Sequence, residues 1–417
     1  MGLLGYLDYD LTLTDEQCQL RDTAREFAAR VLRPTGILLD ALPPEAVVAA
    51  GSPLFSALRQ AAELGYTRLG GSPEIGGMGL PPLTRYLVLE ELAWGSVGLA
   101  GVIFFSTVPA DVALGLQKLG LGSRELVDEL ALPAYACTDG SIRGCWAVTE
   151  PDHGSDSLAI VRPDLSARVG GQLVARRDGD VWILNGQKSA WVSNAPLATH
   201  AMVNAQIDAG GTLDNGGVFL MPLDLPGITR GRPLDKHGMR ALPQGELFFD
   251  DVRVPARYMV LGSEMLSFYM ENHLAMFNAG VGCIATGLAR AAYEAALAYS
   301  KERVQGGRPI GEHQSVRARL FRMFSLVQAC RTLSRGVWVH NLTQLERGQP
   351  ARLEHSIASK VFTTQAALEV ATLAVQLHGG NGMTKEYPVE MFLRDATALT
   401  IADGENAFLA QLGAAFL

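Results

Sequence analysis

Three short segments of the chain combine residue types that can bind a flat cofactor and move a proton. The first, CWAVTEPDHGSD at 145–156, places small and hydroxyl residues directly after an apolar run. The second, HGGNGMTKEYP at 378–388, is rich in glycine, and the third, DGEN at 403–406, carries two carboxylates. Glycine lets backbone amides approach a ligand closely, Thr and Ser donate hydrogen bonds, and a carboxylate can abstract a proton. The combination predicts an enzyme.

Each segment also has a purely structural interpretation, which the sequence leaves open. TEPDHGSD is typical of a β-turn with a Ser or Asp cap, and the glycines of HGGNG are typical of a helix C-terminus. For Trp146 and Trp191 the alternative is core packing. For Asp403 it is the capping of a turn before Gly404, and for His153 it is a structural hydrogen bond in a loop.

The composition describes a globular protein with a large buried interior. Of 417 residues, 48% are hydrophobic and 19% are charged, and this length suits two or three packed domains. A formal net charge of -8 argues against broad binding to nucleic acids or anionic membranes, because both require clustered Lys and Arg. The longest apolar run, Val97–Phe105, is much shorter than the roughly 20 residues of a membrane helix. We expect no nucleic-acid partner and no membrane partner.

Other sequence features narrow the compartment and the chemistry. The five cysteines are scattered without a CxxC pair, which favours reduced thiols. The start, MGLLGYLDYDLTLTDEQ, lacks a basic region before its apolar residues, so we expect no secretory signal and a soluble cytoplasmic protein. Metal-ligand spacing is missing, as are a GxGxxG that opens a βαβ unit and a GxxxxGK[ST] loop. We therefore expect no metal and neither a nicotinamide Rossmann site nor an NTPase site.

The pattern of apolar residues predicts helices first, then strands, then helices again, with domain limits at 1–143, 144–258 and 259–417. Thr14 and Gln17 have the form of a capping box, which predicts a first helix that runs to a break at Pro34.

The middle and final parts have their own signals. In LVARRDGDVWILNGQK an Asp-Gly turn separates two runs rich in Val, Ile, Leu and Trp, which predicts a hairpin. Three long segments after residue 258 are typical of bundle helices. Gly280, Gly282 and Gly287 weaken the first of them, so we expect close helix contacts there as compensation.

Taken together and in this order, the motifs resemble those of the acyl-CoA dehydrogenase flavoproteins over nearly the whole chain. The resemblance rests on TEPDHGSD, NGQKSAWVSN at 185–194, GELFFDDVRVP at 245–255, RVQGG at 303–307 and HGGNG. It implies an α+β fold with an N-terminal helical domain, a middle β-barrel-like domain and a C-terminal four-helix bundle. It also implies FAD as the cofactor.

The same resemblance implies which residues meet the cofactor. Trp146, Val148 and Thr149 would lie along the isoalloxazine ring. Gly154 and Ser155 would serve the pyrophosphate side and the acyl-CoA entrance. The remaining residues, some of which would reach the cofactor of a partner subunit, are Trp191, Ser193, Arg303, Gln314, Gln376, Gly379, Gly380 and Glu405.

The chain departs from the family pattern at three places near these residues and the substrate. Two residues separate Lys188 from Trp191, where the family often has one. Gly306 stands where many relatives have Phe, so adenine stacking there would be lost. Asn278 replaces a common Arg, which affects the expected handling of the CoA portion.

The most consequential departure concerns the base. The family's usual Ile-Tyr-Glu-Gly-Thr block aligns with residues 401–405, so the resemblance implies Asp403 as the catalytic base, with Ser155, Asn278, Ala402 and Gly404 at the substrate. Some relatives carry Glu on the helix that begins the last domain, but 276–278 holds no carboxylate here, and only Glu271 lies upstream.

Asp is shorter than Glu by one methylene, about 1.5 Å, and a misplacement of that order costs roughly 10²-fold in rate if the substrate pose is unchanged. Family members that act on alicyclic acyl-CoA substrates use Asp here, and Ala402 in place of Tyr makes room. We therefore expect a bulky, cyclic or branched acyl group.

The leading hypothesis is FAD-dependent α,β-dehydrogenation of an acyl-CoA. Electron-transfer flavoprotein is the implied acceptor, and the chain is expected to form a homotetramer or homodimer. The change from Glu to Asp also permits a flavin-dependent lyase or 1,4-elimination, a monooxygenase, or an acyl carrier protein in place of CoA. A non-catalytic flavin-binding or DNA-associated relative is a further alternative.

Overall fold

The structure is a computed structural model that describes residue 6, residues 12–162 and residues 170–417. Most of the N-terminal stretch assessed for a secretory signal lies outside the described residues. The predicted order of helices, strands and helices is confirmed. The helices of the first part are α1 (Asp15–Phe27), α2 (Arg33–Asp40), α3 (Pro44–Val48), α4 (Pro53–Glu63), α5 (Pro82–Gly95), α6 (Val97–Phe105), α7 (Val108–Lys118), α8 (Arg124–Leu126) and α9 (Leu132–Ala136).

The start of α1 is as predicted, but its end is not. Thr14 and Gln17 form both hydrogen bonds of the capping box. The predicted break at Pro34 is wrong, because a π-helical turn at Ala28–Leu32 carries the helical backbone into α2. In that turn the Arg33 N–H bonds the carbonyl of Ala28, five residues back. The wider turn lets the helix pass a proline that cannot donate a backbone hydrogen bond.

The middle part forms one eight-stranded sheet. Its strands are β1 (Gly144–Ala147), β2 (Val174–Asp178), β3 (Val181–Ser193), β4 (His200–Ile207), β5 (Gly216–Pro222), β6 (Ile228–Arg230), β7 (Gln244–Pro255) and β8 (Met259–Leu261). Their order is β6-β7-β3-β2-β4-β5-β8, with β1 beside β4. The pairs are antiparallel except β1 with β4 and β2 with β4. The predicted hairpin is β2 and β3, joined at Gly179, whose φ is +60°.

The last part is a bundle of long helices. Its elements are α10 (Ser263–Glu302), a small hairpin of β9 (Val304–Gln305) and β10 (Arg308–Pro309), α11 (Gln314–Glu346), α12 (Leu353–His378), α13 (Val389–Leu399) and α14 (Asn406–Ala414). Helices α10, α11 and α12 pack on one another, and α13 packs on α10 and α12. This is the predicted four-helix arrangement, with α14 added against α12.

The glycines of α10 lie at close helix contacts, as expected. A Cβ atom at Gly280 would lie 2.8 Å from the Phe104 ring of α6, and one at Gly282 would lie 2.8 Å from Ser359 Oγ of α12. At Gly287 it would lie 2.6 Å from a carbonyl oxygen of α5. Three different helices therefore approach α10 at positions without a side chain.

Among the described helices, α10 is long and apolar enough to cross a membrane, as is the bent pair α6 and α7 if it is counted as one span. In α10, however, 94% of the most apolar 18-residue window is buried inside the protein. Such burial is typical of the core helix of a globular fold.

The three parts of the chain meet at a buried polar junction. Arg394 of α13 donates to both carboxylate oxygens of Asp40 in α2, at 2.9 and 2.6 Å. The neighbouring Asp395 accepts the backbone N–H of Met239, from the loop between β6 and β7, at 2.6 Å. Burial raises the pKa of Asp395 to about 7, while the Met239 N–H and Arg394 oppose the rise. The first, middle and last parts are thus joined by charged and polar groups.

Substitution of Gly287 by Ala tests the close contact between α5 and α10. We expect Gly287→Ala to lower the free energy of unfolding by about 1–3 kcal/mol, because the added methyl meets backbone atoms of α5 that cannot yield. Gly336→Ala in α11 is the matched control, since no atom lies within 4 Å of its added Cβ. It should be neutral or stabilising by up to about 1 kcal/mol. Urea unfolding of both variants decides, and equal effects of the two would contradict the packing argument.

Candidate active site

Asp403 lies in a tight loop between α13 and α14. Its φ is +51°, and that of the next residue, Gly404, is +105°. A non-glycine residue in the left-handed region is strained, although Asp tolerates it better than most residues. A Cβ at Gly404 would also lie 2.7 Å from the Leu409 side chain. The backbone around the predicted base therefore adopts a conformation that must be held from outside.

Three contacts from three other elements hold this loop. Asn278 of α10 donates from Nδ2 to the Asp403 carbonyl at 3.3 Å. Lys360 of α12 donates to the Gly404 carbonyl at 2.6 Å. The backbone N–H of Glu405 donates to Ser155 Oγ at 3.0 Å. The structure thus brings together Asp403, Gly404, Asn278 and Ser155, which the sequence had assigned to the base and the substrate.

The electrostatic setting of Asp403 suits a general base. Burial raises the pKa of its carboxyl group to about 6, and the positive charge of Lys360 limits the rise. Lys360 itself is buried, and burial lowers its pKa to about 8, against the effect of Asp403 and Glu405. At neutral pH the Asp403 side chain is ionised and can accept a proton. Because its pKa is raised, it is also a stronger base than an ordinary aspartate.

The other carboxylates near the loop have different tasks. The Glu405 side chain caps α14, where it accepts the N–H groups of Ala407 at 2.9 Å and Phe408 at 3.0 Å. These two bonds lower its pKa. Glu271 lies two turns before Asn278 on α10, where burial and the charge of Glu354 raise its pKa. Glu271 thus shares with Asp403 a pKa raised by burial, but it lies on α10, outside the 400–406 loop.

Asn278 and Ala402 differ in what they offer a substrate. The Asn278 side chain is fully buried, and its Oδ1 has no hydrogen-bond partner among the described residues. Ala402 is partly buried, and its N–H bonds the Ala398 carbonyl at 3.0 Å. The predicted substrate role of Asn278 therefore coexists with a structural one, the support of Asp403.

The 145–156 segment runs from the core to the surface. Trp146 lies in β1, where its indole N–H donates to Asn204 Oδ1 at 3.0 Å and its ring packs against His273 and Phe277 of α10. The indole therefore packs in the core, which is the structural alternative to contact with a cofactor. Val148 and Thr149 follow at partly buried positions. The Thr149 hydroxyl lies 2.8 Å from Ser189 Oγ of β3.

A buried ion pair anchors the same segment. Glu150 Oε1 accepts from Lys188 Nζ at 2.7 Å, and both side chains are about 1% exposed. Glu150 also accepts the backbone N–H groups of Gln172 and Leu173, and Lys188 donates to the Val148 carbonyl at 3.1 Å. Burial lowers the pKa of Lys188, and Glu150 opposes the change. The pair fixes the segment after β1 on which Val148 and Thr149 lie.

The turn that follows is closed by His153. Its Nδ1 lies 2.9 Å from Asp156 Oδ2 and its Nε2 lies 3.0 Å from the Gly170 carbonyl. Burial works against the charged ring, but these two hydrogen bonds raise its pKa overall. The turn leaves Gly154 exposed, with open space around it. His153 thus has the loop-supporting role that was the alternative to substrate contact.

The extra residue between Lys188 and Trp191 forms a bulge in β3. Opposite β7, Lys188 pairs with Leu247 and Val192 pairs with Gly245, so three residues of β3 face one residue of β7. The bulge leaves Trp191 61% exposed. Ser193 is beyond the bulge, and its Oγ accepts from Gln244 Nε2 at 3.2 Å.

The residues predicted for the far end of the cofactor lie elsewhere, near the ends of α10 and α12. Tyr299 of α10 stacks on His378 of α12 with ring centroids 4.1 Å apart. This contact brings Arg303, just after α10, close in the fold to Gly379 and Gly380, just after α12. Gly379 is the C-cap of α12 and has a φ of +61°, a backbone conformation that favours glycine. Arg303, Gln314, Gln376, Gly379 and Gly380 are all exposed.

The residues present fit a flavin cofactor. A large exposed aromatic face at Trp191 is followed, two residues later on the same strand, by the partly buried hydroxyl of Ser193. An exposed indole can stack on a flat ring, and a hydroxyl group can donate to the oxygen and nitrogen atoms of that ring. No atom lies within 4 Å of a Cβ added at Gly379 or Gly380, so a ligand has room to approach the backbone there. Among the described residues no group of three His, Cys, Asp or Glu side chains is placed to hold a metal ion.

Sequence reasoning missed Lys360, although a signal was present. Lys360 stands three residues after Ile357 and four before Thr364, on the buried stripe of α12. A lysine at helical spacing within a buried stripe requires acceptors from other elements. The sequence does not identify those acceptors, because they come from residues 40 to 46 positions later.

Three family models match the chain in succession. They are described as the N-terminal, middle and C-terminal domains of acyl-CoA dehydrogenase, and they match residues 14–119, 145–252 and 267–417.

Individual proteins are similar over almost the full length. Benzylmalonyl-CoA dehydrogenase of Aromatoleum aromaticum is 32% identical over 404 residues, which cover 96% of this chain and 97% of that protein. The structure of butyryl-CoA dehydrogenase from Megasphaera elsdenii has a TM-score of 0.83 and 27% identity, covering 98% and 99% of the two chains. A glutaryl-CoA dehydrogenase from Mycobacterium smegmatis in complex with FADH2 has a TM-score of 0.79 and 25% identity, covering 98% and 96%.

The Glu150–Lys188 pair gives a test of how the cofactor-side strand is held. We expect Glu150→Gln and Lys188→Met each to lower the free energy of unfolding by about 3–5 kcal/mol, because each removes one partner of a buried pair. The double variant should recover part of the loss, since it no longer buries an uncompensated charge. Urea unfolding gives the coupling, and FAD retained through gel filtration reports on the site. Losses that simply add in the double variant would show that the pair is not coupled.

Proposed function

The chain belongs to the acyl-CoA dehydrogenase family, and from this premise we propose that Asp403 is the base that removes the α-proton of an acyl-CoA thioester. The family consists of FAD-dependent oxidoreductases that act on CH–CH bonds, and this chain is such an enzyme. The observation that carries the proposal is the carboxyl group of Asp403, partly buried, with a pKa raised to about 6 by burial.

In the proposed reaction the chain provides the base and its surroundings. The thioester carbonyl acidifies the α-proton, and the Asp403 carboxylate accepts it as the carbon–carbon double bond forms. The backbone at Asp403 is fixed by Asn278 and the next residue by Lys360, so the carboxylate is presented from a rigid loop. Bound FAD supplies the acceptor for the hydride that leaves the β-carbon.

We propose that the cofactor is held at two places by the residues assigned from the sequence. Val148, Thr149, Trp191 and Ser193 offer backbone groups, hydroxyls and an aromatic face at one of them. At the other, Arg303 offers a planar, permanently charged group that suits a pyrophosphate. The further residues proposed for this role are Trp146 through its backbone, Gly154, Ser155, Gln314, Gln376, Gly379, Gly380 and Glu405.

The substrate is proposed to carry a bulky, cyclic or branched acyl group. Asp403 is shorter than the usual Glu, and Ala402 replaces a Tyr, so the base reaches less far and more space adjoins it. One similar protein is named for benzylmalonyl-CoA, an acyl group that is branched and carries an aromatic ring. This likeness supports the proposal.

Several further properties are proposed from family membership. Electron-transfer flavoprotein is the proposed acceptor of the electrons, and a homodimer or homotetramer is the proposed assembly. The cytoplasm is the proposed compartment. We also propose the limits 1–143, 144–258 and 259–417 for the three domains.

Substitution of Asp403 tests the base. Asp403→Asn should retain FAD and lose flavin reduction by acyl-CoA, because the amide cannot accept the proton; a loss of at least about 10²-fold is expected. Asp403→Glu should retain some activity but change the preferred acyl group, since the carboxylate moves by about 1.5 Å. Anaerobic bleaching of the flavin against a panel of straight, branched and cyclic acyl-CoA thioesters measures both effects.

The control for this test is Glu271→Gln, which changes the carboxylate nearest along α10 and should leave reduction intact. Near-normal reduction by Asp403→Asn would move the base elsewhere. If no saturated acyl thioester bleaches the folded, FAD-loaded protein, dehydrogenation is the wrong reaction. Product mass then distinguishes loss of a substituent from gain of oxygen, and the use of an acyl carrier protein is tested with that thioester.

The pH dependence follows from the raised pKa of Asp403. The reactive form is the carboxylate, so kcat/KM should be level between about pH 6 and pH 8 and should fall tenfold per pH unit below about pH 6. The small residual rate of Asp403→Asn should lack this step. Stopped-flow reduction over a pH range that leaves the protein folded gives the profile. A midpoint near 4, the value of an ordinary Asp, would contradict burial of the base.

A further inference from the structure

Lys360 is a buried cation whose hydrogen bonds all end in the loop that carries Asp403. Its side chain has no exposed surface. Its Nζ donates to the Gly404 carbonyl at 2.6 Å, to Asn406 Oδ1 at 2.8 Å and to the Thr400 carbonyl at 3.3 Å. An ammonium group has three protons, so each proton has one acceptor. A neutral amine has only two protons, so at least one of the three acceptors would lose its hydrogen bond.

The three acceptors lie on both sides of Asp403. Thr400 directly follows α13, Gly404 directly follows Asp403, and Asn406 begins α14. Asn406 is held in turn by Thr364, one helical turn after Lys360 on α12, whose hydroxyl accepts from Asn406 Nδ2 at 3.0 Å. The ammonium therefore closes the loop across its base and links it to α12.

No carboxylate forms an ion pair with Lys360 among the described residues, so its charge is not neutralised by direct contact. Asp403 and Glu405 are the acidic groups whose charge reaches it, and Glu405 is engaged as the cap of α14. Two charged groups on neighbouring elements have partners of their own: Asp156 pairs with His153, and Arg394 pairs with Asp40.

We propose that Lys360 is a positioning residue for the base, which closes the 400–406 loop through its three hydrogen bonds and, through its charge, keeps the Asp403 carboxylate ionised. The proposal rests on the proposed function of Asp403. In this proposal Lys360, a residue of α12 without contact to the substrate, takes part in the control of proton abstraction.

The titration of the two groups agrees with this role. Burial raises the pKa of Asp403 to about 6 and lowers that of Lys360 to about 8, and each charge opposes the effect of burial on the other. Between these values the carboxylate and the ammonium are both charged. Removal of the ammonium should leave burial unopposed, so the pKa of Asp403 should rise further.

The test compares two neutral variants with a matched control. Lys360→Gln keeps a hydrogen-bond donor and removes the charge, and Lys360→Met removes both. Lys236→Met is the control, because Lys236 is a second, partly buried lysine with backbone and amide acceptors, Leu242 O and Gln244 Oε1, away from the 400–406 loop. Isotope-edited infrared spectra of the FAD-loaded protein, with Asp403→Asn subtracted, report the ionisation of Asp403 directly. The pH profile of flavin reduction is measured in parallel.

In Lys360→Gln and Lys360→Met the midpoint of Asp403 should rise by about 1–3 pH units in both measurements, the usual effect of one nearby opposite charge. Lys360→Met should also lower kcat more than Lys360→Gln does, because it removes the loop contacts. Lys236→Met should leave the midpoint in place. An unchanged midpoint in folded, FAD-loaded Lys360→Gln overturns the proposal and leaves Lys360 a structural residue.

Wild-type protein gives an independent readout should both Lys360 variants fail to fold. The carboxylate band of Asp403 should shift a second time near pH 8, as the ammonium loses its proton. Absence of this second step overturns the proposal. The infrared titration does not require turnover. If no acyl-CoA reduces the flavin of the wild-type protein, the proposed function is refuted, but the infrared titration still tests whether Lys360 controls the ionisation of Asp403.

Discussion

The constraint on which the site depends is the left-handed backbone at Asp403 and Gly404. Two consecutive residues in this region give a sharp loop that presents a carboxylate, but the conformation costs free energy for any residue other than glycine. Contacts from α10, from α12 and from the middle domain oppose that cost. Because these contacts come from separate elements, the geometry of the base depends on the assembly of the whole fold.

Helix α10 connects this local constraint to the global packing. Its glycines allow α5, α6 and α12 to approach closely, and its Asn278 supports the loop. The same helix packs on Trp146 of the strand that leads to the proposed flavin surface. One helix therefore sets the distance between the loop that carries Asp403 and the proposed flavin surface. This accounts for a 40-residue helix that is mostly buried and carries few charges.

Local signals in the sequence predicted much of this arrangement. The capping box at Thr14, the hairpin turn at Gly179 and the close contacts of the α10 glycines each follow from a few neighbouring residues, and the structure contains all three. The passage of the helix past Pro34 was not predicted, because a π-helical turn has no clear local signature. The partners of Lys360 were not predictable either, since buried polar pairs form between residues far apart in the chain. The structure also gives the Trp146 indole a packing role that the motif alone did not decide.

The junction of Arg394, Asp40, Asp395 and Met239 has a consequence for how ligands enter. A hinge between the three parts would have to break the two-pronged contact of Arg394 with Asp40 and leave Asp395 without its amide donor. Separation of buried charged groups is costly. The junction therefore opposes any hinge motion that would part α2, the loop between β6 and β7, and α13, so the three parts behave as one frame when a ligand binds.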